Sequence, residues 1–302
     1  MISRANIHLP SLAIFASTFF WGTWWIPLRK LDELGQGTIW LVATGVALPA
    51  FMLLPHALRN ARRIFSGGLP LLICALALGL TCTFYAEGAM RGNVARVILL
   101  FYLTPVWSTL LARWLLGEPI TRQRLLTIAL GMIGMSIILG KDSGTLIPRP
   151  ADIAEWMGLL AGMFWAVSTV SIRKTRKLPM LDIAFPSFTL FALCFIAVSI
   201  IPGGRTWHAL PAAPFTDALL WTLLIAVLWH LPAILLTLFG AVDVEPGRVA
   251  ILLMMEVLVG VGSAALLAND VFGAREFIGA MFIISAGIAE FIPLPGLTRR
   301  SP

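Results

Sequence analysis

Glu256 is the residue of this chain whose type and position point most directly to chemistry. It lies near the middle of an apolar run that extends from Ile251 to Val259. An ionised carboxylate is costly in such surroundings, so we expect it to face a cavity, to pair with a cation or to be protonated. Each of these states suits a group that binds a substrate or exchanges a coupling proton. A structural hydrogen bond or ion pair inside a helical bundle is the alternative interpretation.

Two arginines and one histidine are further ionisable candidates. Arg96 and Arg248 occupy equivalent positions in two apolar runs, and a guanidinium can bind a substrate carboxylate or phosphate. The alternative is that each reaches the membrane interface or braces the bundle, which the nearby Asp243 and Glu245 favour for Arg248. His230 either titrates during a functional cycle or is a hydrogen-bonded packing residue.

The aromatic residues are unusual, with eleven tryptophans against two tyrosines. Trp21 and Trp25 are four residues apart and therefore share a helical face. Stacking and cation–π contacts would let such side chains line a cavity for an apolar, aromatic or cationic metabolite. The candidates for this lining are Trp21, Trp25, Tyr85, Tyr102, Trp107 and Trp165. The alternative, which we favour for most of them, is packing or contact with lipid.

Two prolines predict bends that are useful for gates and cavity walls. Pro105 and Pro232 each lie within an apolar run. Proline lacks a backbone donor and frees a carbonyl in the preceding turn, which bends a helix.

Motifs for enzymatic chemistry are missing from the sequence. It contains no Walker loop, zinc-ligand spacing, nucleophile elbow or paired-carboxylate motif. The three cysteines all lie in apolar runs and suggest packing rather than a disulfide or a metal site. We therefore expect no enzyme activity, no cofactor and no metal.

The elements that must position these residues are membrane helices. With 59% hydrophobic and 12% charged residues, the chain has too little polar surface for a soluble globule. Runs that can cross about 30 Å of hydrocarbon predict an all-α integral membrane protein with ten transmembrane helices. They lie near residues 10–28, 35–55, 69–86, 93–116, 123–140, 153–172, 181–201, 215–239, 247–268 and 274–292.

The net charge of +7 is explained by membrane topology rather than by binding to nucleic acid. Cytoplasmic loops of membrane proteins are enriched in Lys and Arg, which here favours cytoplasmic N- and C-termini. On that topology, twelve of the 22 Lys and Arg residues are cytoplasmic: Arg4, Arg59, Arg62, Arg63, Arg122, Arg124, Arg173, Lys174, Arg176, Lys177, Arg299 and Arg300.

The chain carries two marks twice, which indicates duplication. Trp21-Gly22 precedes Arg29-Lys30 as Trp165-Ala166 precedes Arg173-Lys174, and 22 residues separate Arg96 from Glu118 as they separate Arg248 from Asp270. We therefore predict two repeats, residues 1–147 and 148–302. Five helices in each repeat is an odd number, so the repeats are inverted, and inverted repeats commonly place a substrate site at mid-membrane where they meet.

The first copy resembles the EamA-type repeat of the drug/metabolite transporter superfamily. The resemblance rests on Arg96 to Val106, on Leu116-Gly117-Glu118-Pro119 and on Gly131 to Gly134, with Trp21-Gly22 near the end of the first helix. The second copy departs from it, since Glu256-Val257 stands where a proline is usual and Asp270 replaces the acid. The resemblance implies a ten-helix secondary transporter, often an exporter of amino acids or other small metabolites. The departure at Val257 predicts that the ninth helix lacks a kink.

These observations favour a secondary transporter in the cell inner membrane that works by alternating access. Its expected partners are a small-molecule substrate, the lipid bilayer and protons as the coupling ion. A flippase for lipid-linked carriers is the rival within membrane transport. An integral-membrane enzyme that acts on lipids and a membrane scaffold are the rivals from other classes.

Overall fold

The computed structural model describes residues 8–24, 26–27, 39–91, 94–143, 150, 152–175, 178–199, 215–267 and 273–291. Within these ranges the regular structure is helical, with no β-strand. We number the membrane segments along the chain. The first repeat contains segment 1 (His8–Gly22), segment 2 (Ile39–Arg59), segment 3 (Gly68–Arg91), segment 4 (Val94–Phe101 and Thr104–Leu116) and segment 5 (Arg122–Ser143), with a short helix, Ala61–Phe65, between segments 2 and 3.

The second repeat follows the same pattern. It contains segment 6 (Ile153–Lys174), segment 7 (Met180–Ser199), segment 8 (Phe215–Leu224, Ile225–His230 and Leu231–Ala241), segment 9 (Pro246–Leu253 and Met255–Leu267) and segment 10 (Ala274–Phe291). The predicted all-α fold with ten transmembrane segments is therefore confirmed.

Apolar length supports the membrane assignment. In the described ranges, five helices are long and apolar enough to cross a bilayer, namely Gly68–Gly88, Ile153–Lys174, Met180–Val198, Leu219–Ala241 and Pro246–Leu267. Three shorter apolar helices are Leu9–Gly22, Gly45–Arg59 and Phe277–Ala289. Large apolar side chains such as Phe51, Trp114 and Leu266 are 71%, 84% and 83% exposed, as expected where lipid covers the bundle.

Helix packing follows an approximate two-fold symmetry that exchanges the repeats. Segment 1 packs on segments 8 and 9, and segment 6 packs on segments 3 and 4. Three further large contacts pair a segment with its own equivalent, segment 2 with 7, 4 with 9 and 5 with 10, and segment 3 also packs on segment 7. Because each repeat has an odd number of segments, this symmetry inverts one repeat relative to the other.

Small residues allow the helices to approach closely, as in many membrane bundles. A methyl group on Gly162 of segment 6 would lie 2.5 Å from the Phe101 carbonyl oxygen of segment 4. On the symmetry-related side, a methyl group on Gly22 of segment 1 would lie 2.5 Å from the Glu256 carbonyl oxygen of segment 9. Segments 4 and 9 are therefore each held closely against a partner segment, at Phe101 and at Glu256.

Segment 4 is interrupted next to its proline. Its first helix ends at Phe101 and its second begins at Thr104, with Pro105 in the first turn. The Leu103 N–H donates to the Leu100 carbonyl over 3.2 Å, which tightens the turn between the two helices. The Thr104 hydroxyl donates to the Phe101 carbonyl over 2.5 Å, so a side chain satisfies an acceptor that proline leaves without its helical partner.

Segment 9 is also interrupted, and the prediction that Val257 removes its kink is wrong. Its first helix ends at Leu253 and its second begins at Met255. The Met254 N–H donates to the Ile251 carbonyl and the Val257 N–H to the Met254 carbonyl, each over 3.2 Å. Tertiary packing explains a break without proline, because Met254 is buried in a cluster with Tyr102, Met135, Ile138, Val257 and Ile283.

Segment 8 changes its helical pitch before its proline. Ile225–His230 forms a π-helical stretch, and Pro232 lies in the first turn of the α-helix that follows. π-helical turns inside α-helices are rare and are frequent at functional sites.

In the described part of the chain, the ion pairs lie at one end of the bundle. Because each segment crosses once, the connections between segments 2 and 3, 4 and 5, 6 and 7, and 8 and 9 lie at the same end. Ion pairs described below lie there, and we call this end the ion-pair face and the other the opposite face.

Candidate functional site

A central cavity lies where the two interrupted segments meet. Its volume is about 540 Å³, counted with its open mouth. Residues from both repeats line it: Trp21, Trp24, Thr81, Cys82, Tyr85, Phe101, Tyr102, Thr104, Trp165, Ala250, Leu253 and Glu256. The lining is mostly aromatic, with a few hydroxyl groups and one carboxyl group.

Glu256 is joined to Tyr102, which belongs to the other repeat. The two side chains interact electrostatically, and the Tyr102 hydroxyl donates a hydrogen bond to the Leu253 carbonyl over 3.3 Å. Among the residues that the structure describes, no Lys, Arg or His forms an ion pair with Glu256. Tyr102 is only 1% exposed, so its hydroxyl has few other partners. The Glu256–Tyr102 pair therefore connects the break in segment 4 to the break in segment 9.

A second, smaller cavity lies closer to the ion-pair face. Its volume is about 210 Å³, counted with its open side, and it is lined by Trp21, Leu78, Trp165, Ile172, Ile234, Thr237 and Leu238. Ile172 and Leu238 lie within three residues of the ends of segments 6 and 8 at that face. In the central cavity, by contrast, Tyr85 and Glu256 lie far along segments 3 and 9 from the same face. The two cavities therefore follow one another across the bundle.

Trp21 and Trp165 line both cavities and thus separate them. They are the tryptophans of the duplicated sequences Trp21-Gly22 and Trp165-Ala166. The Trp21 indole N–H donates to the Thr237 hydroxyl over 3.3 Å, and its ring meets Trp24 edge to face with centroids 5.9 Å apart. Trp165 is 5% exposed. We call this pair the tryptophan septum.

The structure brings together five of the candidate site residues: Trp21, Tyr85, Tyr102, Trp165 and Glu256. Trp107 lies on segment 4 but does not line the central cavity. Trp25 lies outside the described residues. Arg96 belongs to the first helix of segment 4, and its side chain is likewise outside the described part of the chain.

His230 lies beside the cavity rather than in its lining. It is 3% exposed, and its Nδ1 is 3.2 Å from the Gly45 carbonyl oxygen. Its ring meets Trp24 edge to face, with centroids 5.3 Å apart, and Phe191 at 6.1 Å. His230 thus supports Trp24, which itself faces the cavity.

Several lining residues are missing from the sequence-based candidates. Thr81 and Cys82 lie one turn before Tyr85 on segment 3, and helical spacing from that tyrosine was the available signal. Phe101 and Thr104 flank the break in segment 4. Trp24 lies three residues after Trp21, on the same side of segment 1.

Asp182 joins three elements at the ion-pair face. Its carboxylate, with no exposed surface, accepts hydrogen bonds from the Arg63 guanidinium Nε and, over 3.0 Å, from Nη2. It also lies 2.8 Å from Nε2 of His56. Segment 7 is thereby tied to segment 2 and to the connection that follows it. The hydrogen bond to Asp182 raises the pKa of Arg63.

Glu118 belongs to a second group of charges at the same face. Its carboxylate lies 3.6 Å from the Arg173 guanidinium at the end of segment 6, and the Arg124 guanidinium lies 2.7 Å from Glu245. Burial raises the pKa of Glu118, the nearby Glu245 acts in the same direction, and Arg173 and Arg124 oppose both. The Arg173 guanidinium also donates to the Val242 carbonyl within the second repeat over 3.2 Å, whereas the two ion pairs link the repeats.

Comparisons with known proteins agree with this architecture. The model of the EamA-like transporter family matches the chain twice, over residues 8–140 and 152–289. A comparison with curated proteins gives no match. A solved crystal structure of a protein has a TM-score of 0.73 and 15% sequence identity, and the alignment covers 95% of this chain and 96% of that chain. At this identity the likeness concerns the fold alone.

The family matches and the fold lead to the same conclusion. Each match spans one five-segment repeat, and together they cover most of the chain. Members of this family are transporters of the drug/metabolite type rather than enzymes. The chain is a multi-pass membrane protein that belongs to the EamA-like transporter family.

Proposed function

We propose that the protein is a secondary transporter that exports a small metabolite, an amino acid or a related compound, across the cell inner membrane by alternating access. The observation that carries this proposal is the central cavity, which both repeats line at their two interrupted segments. Inverted-repeat transporters commonly bind their substrate near the bilayer midplane, where interrupted helices meet.

The ion-pair face is assigned to the cytoplasm in this proposal. Arg59, Arg62, Arg63, Arg122, Arg124, Arg173 and Lys174 lie at or near it. Such an excess of basic residues is typical of cytoplasmic loops. Both termini are then cytoplasmic, and the central cavity lies on the outer side of the tryptophan septum.

The route to the cytoplasm passes through the tryptophan septum. Trp21 and Trp165 separate the central cavity from the smaller one, and the ion pairs of Asp182 and Glu118 hold the repeats together beyond it. We infer that the septum and the ion-pair face open together when one repeat rocks against the other. A second state, with the opposite face closed, then exposes the central cavity to the cytoplasm.

Glu256 is the proposed site of proton coupling. The Tyr102 hydroxyl has one hydrogen, which it can donate either to the Leu253 carbonyl or to an ionised Glu256. A protonated Glu256 donates to Tyr102 instead and leaves the tyrosine bonded to Leu253. Protonation therefore changes the contact between the two breaks, which is what coupling a proton to a conformational change requires.

Counterflow in proteoliposomes tests the proposal. Vesicles are loaded with a metabolite that differs in concentration between cells with and without the protein, and uptake of the labelled compound is measured. We expect transient accumulation that depends on the protein. If no small metabolite changes in cells and none exchanges in vesicles, the transporter proposal is wrong. A reconstituted Glu256→Gln variant whose transport keeps the wild-type pH dependence would rule out the coupling role alone.

A further inference from the structure

We propose that the central cavity selects organic monocations with a flat apolar or aromatic body, and that Glu256 holds their positive group. This inference rests on the transporter function proposed above and narrows its substrate class from amino acids and related compounds to related amines that lack a carboxylate. The charge of the cavity, the faces of its aromatic rings and the neutral character of its remaining polar groups support it.

The charge balance of the lining favours a cation. Glu256 is the ionisable acid among the described lining residues, and that lining contains no Lys, Arg or His. The ion pairs described in the structure lie at the ion-pair face and do not include Glu256. A carboxylate in apolar surroundings needs a counter-charge or a proton. A cationic ligand supplies the counter-charge from outside the protein.

The aromatic walls suit the same ligand. Rings from both repeats surround the space next to Glu256, namely Trp21, Trp24, Tyr85, Phe101 and Trp165. Ring faces carry partial negative charge and attract cations, with tryptophan the strongest of the three types. They also bury a flat apolar body well. An anion would meet the same negative ring faces and the Glu256 carboxylate.

The other polar groups of the lining are neutral and few. The Thr81 hydroxyl donates to the Ala77 carbonyl, the Thr104 hydroxyl donates to the Phe101 carbonyl, and the Trp21 N–H donates to Thr237. These three donors are thus already used within the protein, and the Trp24 indole N–H, which has no hydrogen-bond partner among the described residues, is neutral. A substrate carboxylate would find no cationic group among the described lining residues, which places the recognised charge at the ammonium end of a ligand.

Three probes with the same phenyl ring and different charge test the inference. Phenethylamine is a cation at neutral pH, phenylalanine is a zwitterion and 3-phenylpropionate is an anion. Binding to the purified protein is measured by tryptophan fluorescence and by the thermal unfolding temperature. We expect phenethylamine to bind about tenfold or more tightly than either of the others, as for a charge-assisted contact.

Two charge-removing variants distinguish a specific role of the Glu256 carboxylate from a general effect of the protein's charge on binding. In Glu256→Gln the preference for phenethylamine should fall to near one. Asp217→Asn removes a charge from an exposed position outside the cavity and should keep the preference. If Glu256→Gln fails to fold, Glu256→Asp keeps the carboxylate and should retain the preference for the cation.

Several results would overturn the inference. They are tighter binding of 3-phenylpropionate, an unchanged preference in Glu256→Gln, and no saturable binding of phenethylamine. An anion preference that Arg96→Gln abolishes would assign substrate recognition to Arg96 instead. Counterflow of a metabolite in wild-type vesicles is measured independently. Transport without a cation preference would leave the proposed function standing and remove only this inference.

Discussion

The breaks in segments 4 and 9 are equivalent in position and different in origin. Counted from Arg96 and Arg248, Tyr102 and Met254 occupy the same place, six residues on. The first break has a proline and a threonine that repair the freed backbone within the chain itself. The second has neither, and it is held by the burial of Met254 and by the Tyr102 hydroxyl at the Leu253 carbonyl.

This difference shows how a duplicated protein can free one position for chemistry. In the first copy the residues after the break, Thr104 and Pro105, maintain the backbone. In the second copy, packing against the first repeat maintains the interrupted backbone. The equivalent positions there are Glu256 and Val257. The chemical difference between the two breaks therefore depends on tertiary contacts across the repeats.

The substitution with the largest expected effect on stability removes a tryptophan beside the first break. Trp165 lies on segment 6, which packs on segment 4, and it is almost fully buried. We expect Trp165→Ala to lower the free energy of unfolding by about 3–5 kcal/mol, because it leaves a large cavity. Denaturant-induced unfolding of the detergent-solubilised protein measures this change in free energy. Trp156→Ala, at a position that is 52% exposed, is the control and should change little. Equal effects in the two variants would contradict the burial argument.

A glycine beside the second break provides the next test. A methyl group on Gly22 would meet the Glu256 carbonyl oxygen at 2.5 Å and Val259 Cβ at 2.7 Å. We expect Gly22→Ala to destabilise the protein by about 1–3 kcal/mol, as other overpacking changes do, and to reduce transport. Gly262→Ala is the matched control, since no atom lies within 4 Å of its added methyl group. A stable, active Gly22→Ala variant would show that segments 1 and 9 can separate at no cost.

Removal of the Tyr102 hydroxyl, which joins the two breaks, is expected to have a smaller effect on stability. Tyr102→Phe removes the hydrogen bond to the Leu253 carbonyl and the contact of the hydroxyl with Glu256 but keeps the ring. Its predicted cost in unfolding free energy is about 1 kcal/mol, with a change in the pH dependence of transport. Tyr85→Phe, in the same cavity, is the comparison variant. If both variants keep the wild-type pH dependence, Tyr102 does not link Glu256 to the break.

The smallest effect is predicted where a proline is introduced at the second break. Val257 lies in the first turn of the helix that begins at Met255, where proline is tolerated. Val257→Pro loses the hydrogen bond from the Val257 N–H to the Met254 carbonyl and should cost about 0.5–1 kcal/mol, whereas Val259→Pro in the helix interior should cost about 3 kcal/mol. Thermal unfolding of the two variants in detergent gives the comparison. A Val257→Pro variant as unstable as Val259→Pro would mean that the two breaks are not equivalent.

The sequence predicts the segments far better than it predicts their contacts. Hydropathy and the duplicated marks are sufficient for ten inverted segments, because length and apolar character are properties of single helices. The break at Met254 could not be predicted, since its cause lies in residues from other segments. Trp107 was a reasonable candidate by type, but the rotation of segment 4 keeps it out of the lining. The ion pairs of Asp182 could not be predicted because its partners, Arg63 and His56, are over a hundred residues away in the sequence.

The ion pairs at one end of the bundle have a consequence for synthesis. Arg63 pairs with Asp182, and Glu118 with Arg173. The first member of each pair reaches the membrane surface before the ribosome has made the second. The first repeat is therefore inserted with charges whose partners belong to the next repeat, and this face of the protein acquires its final structure only late in translation. The ion pairs that join the two halves at this face can form only after the second half has been synthesised.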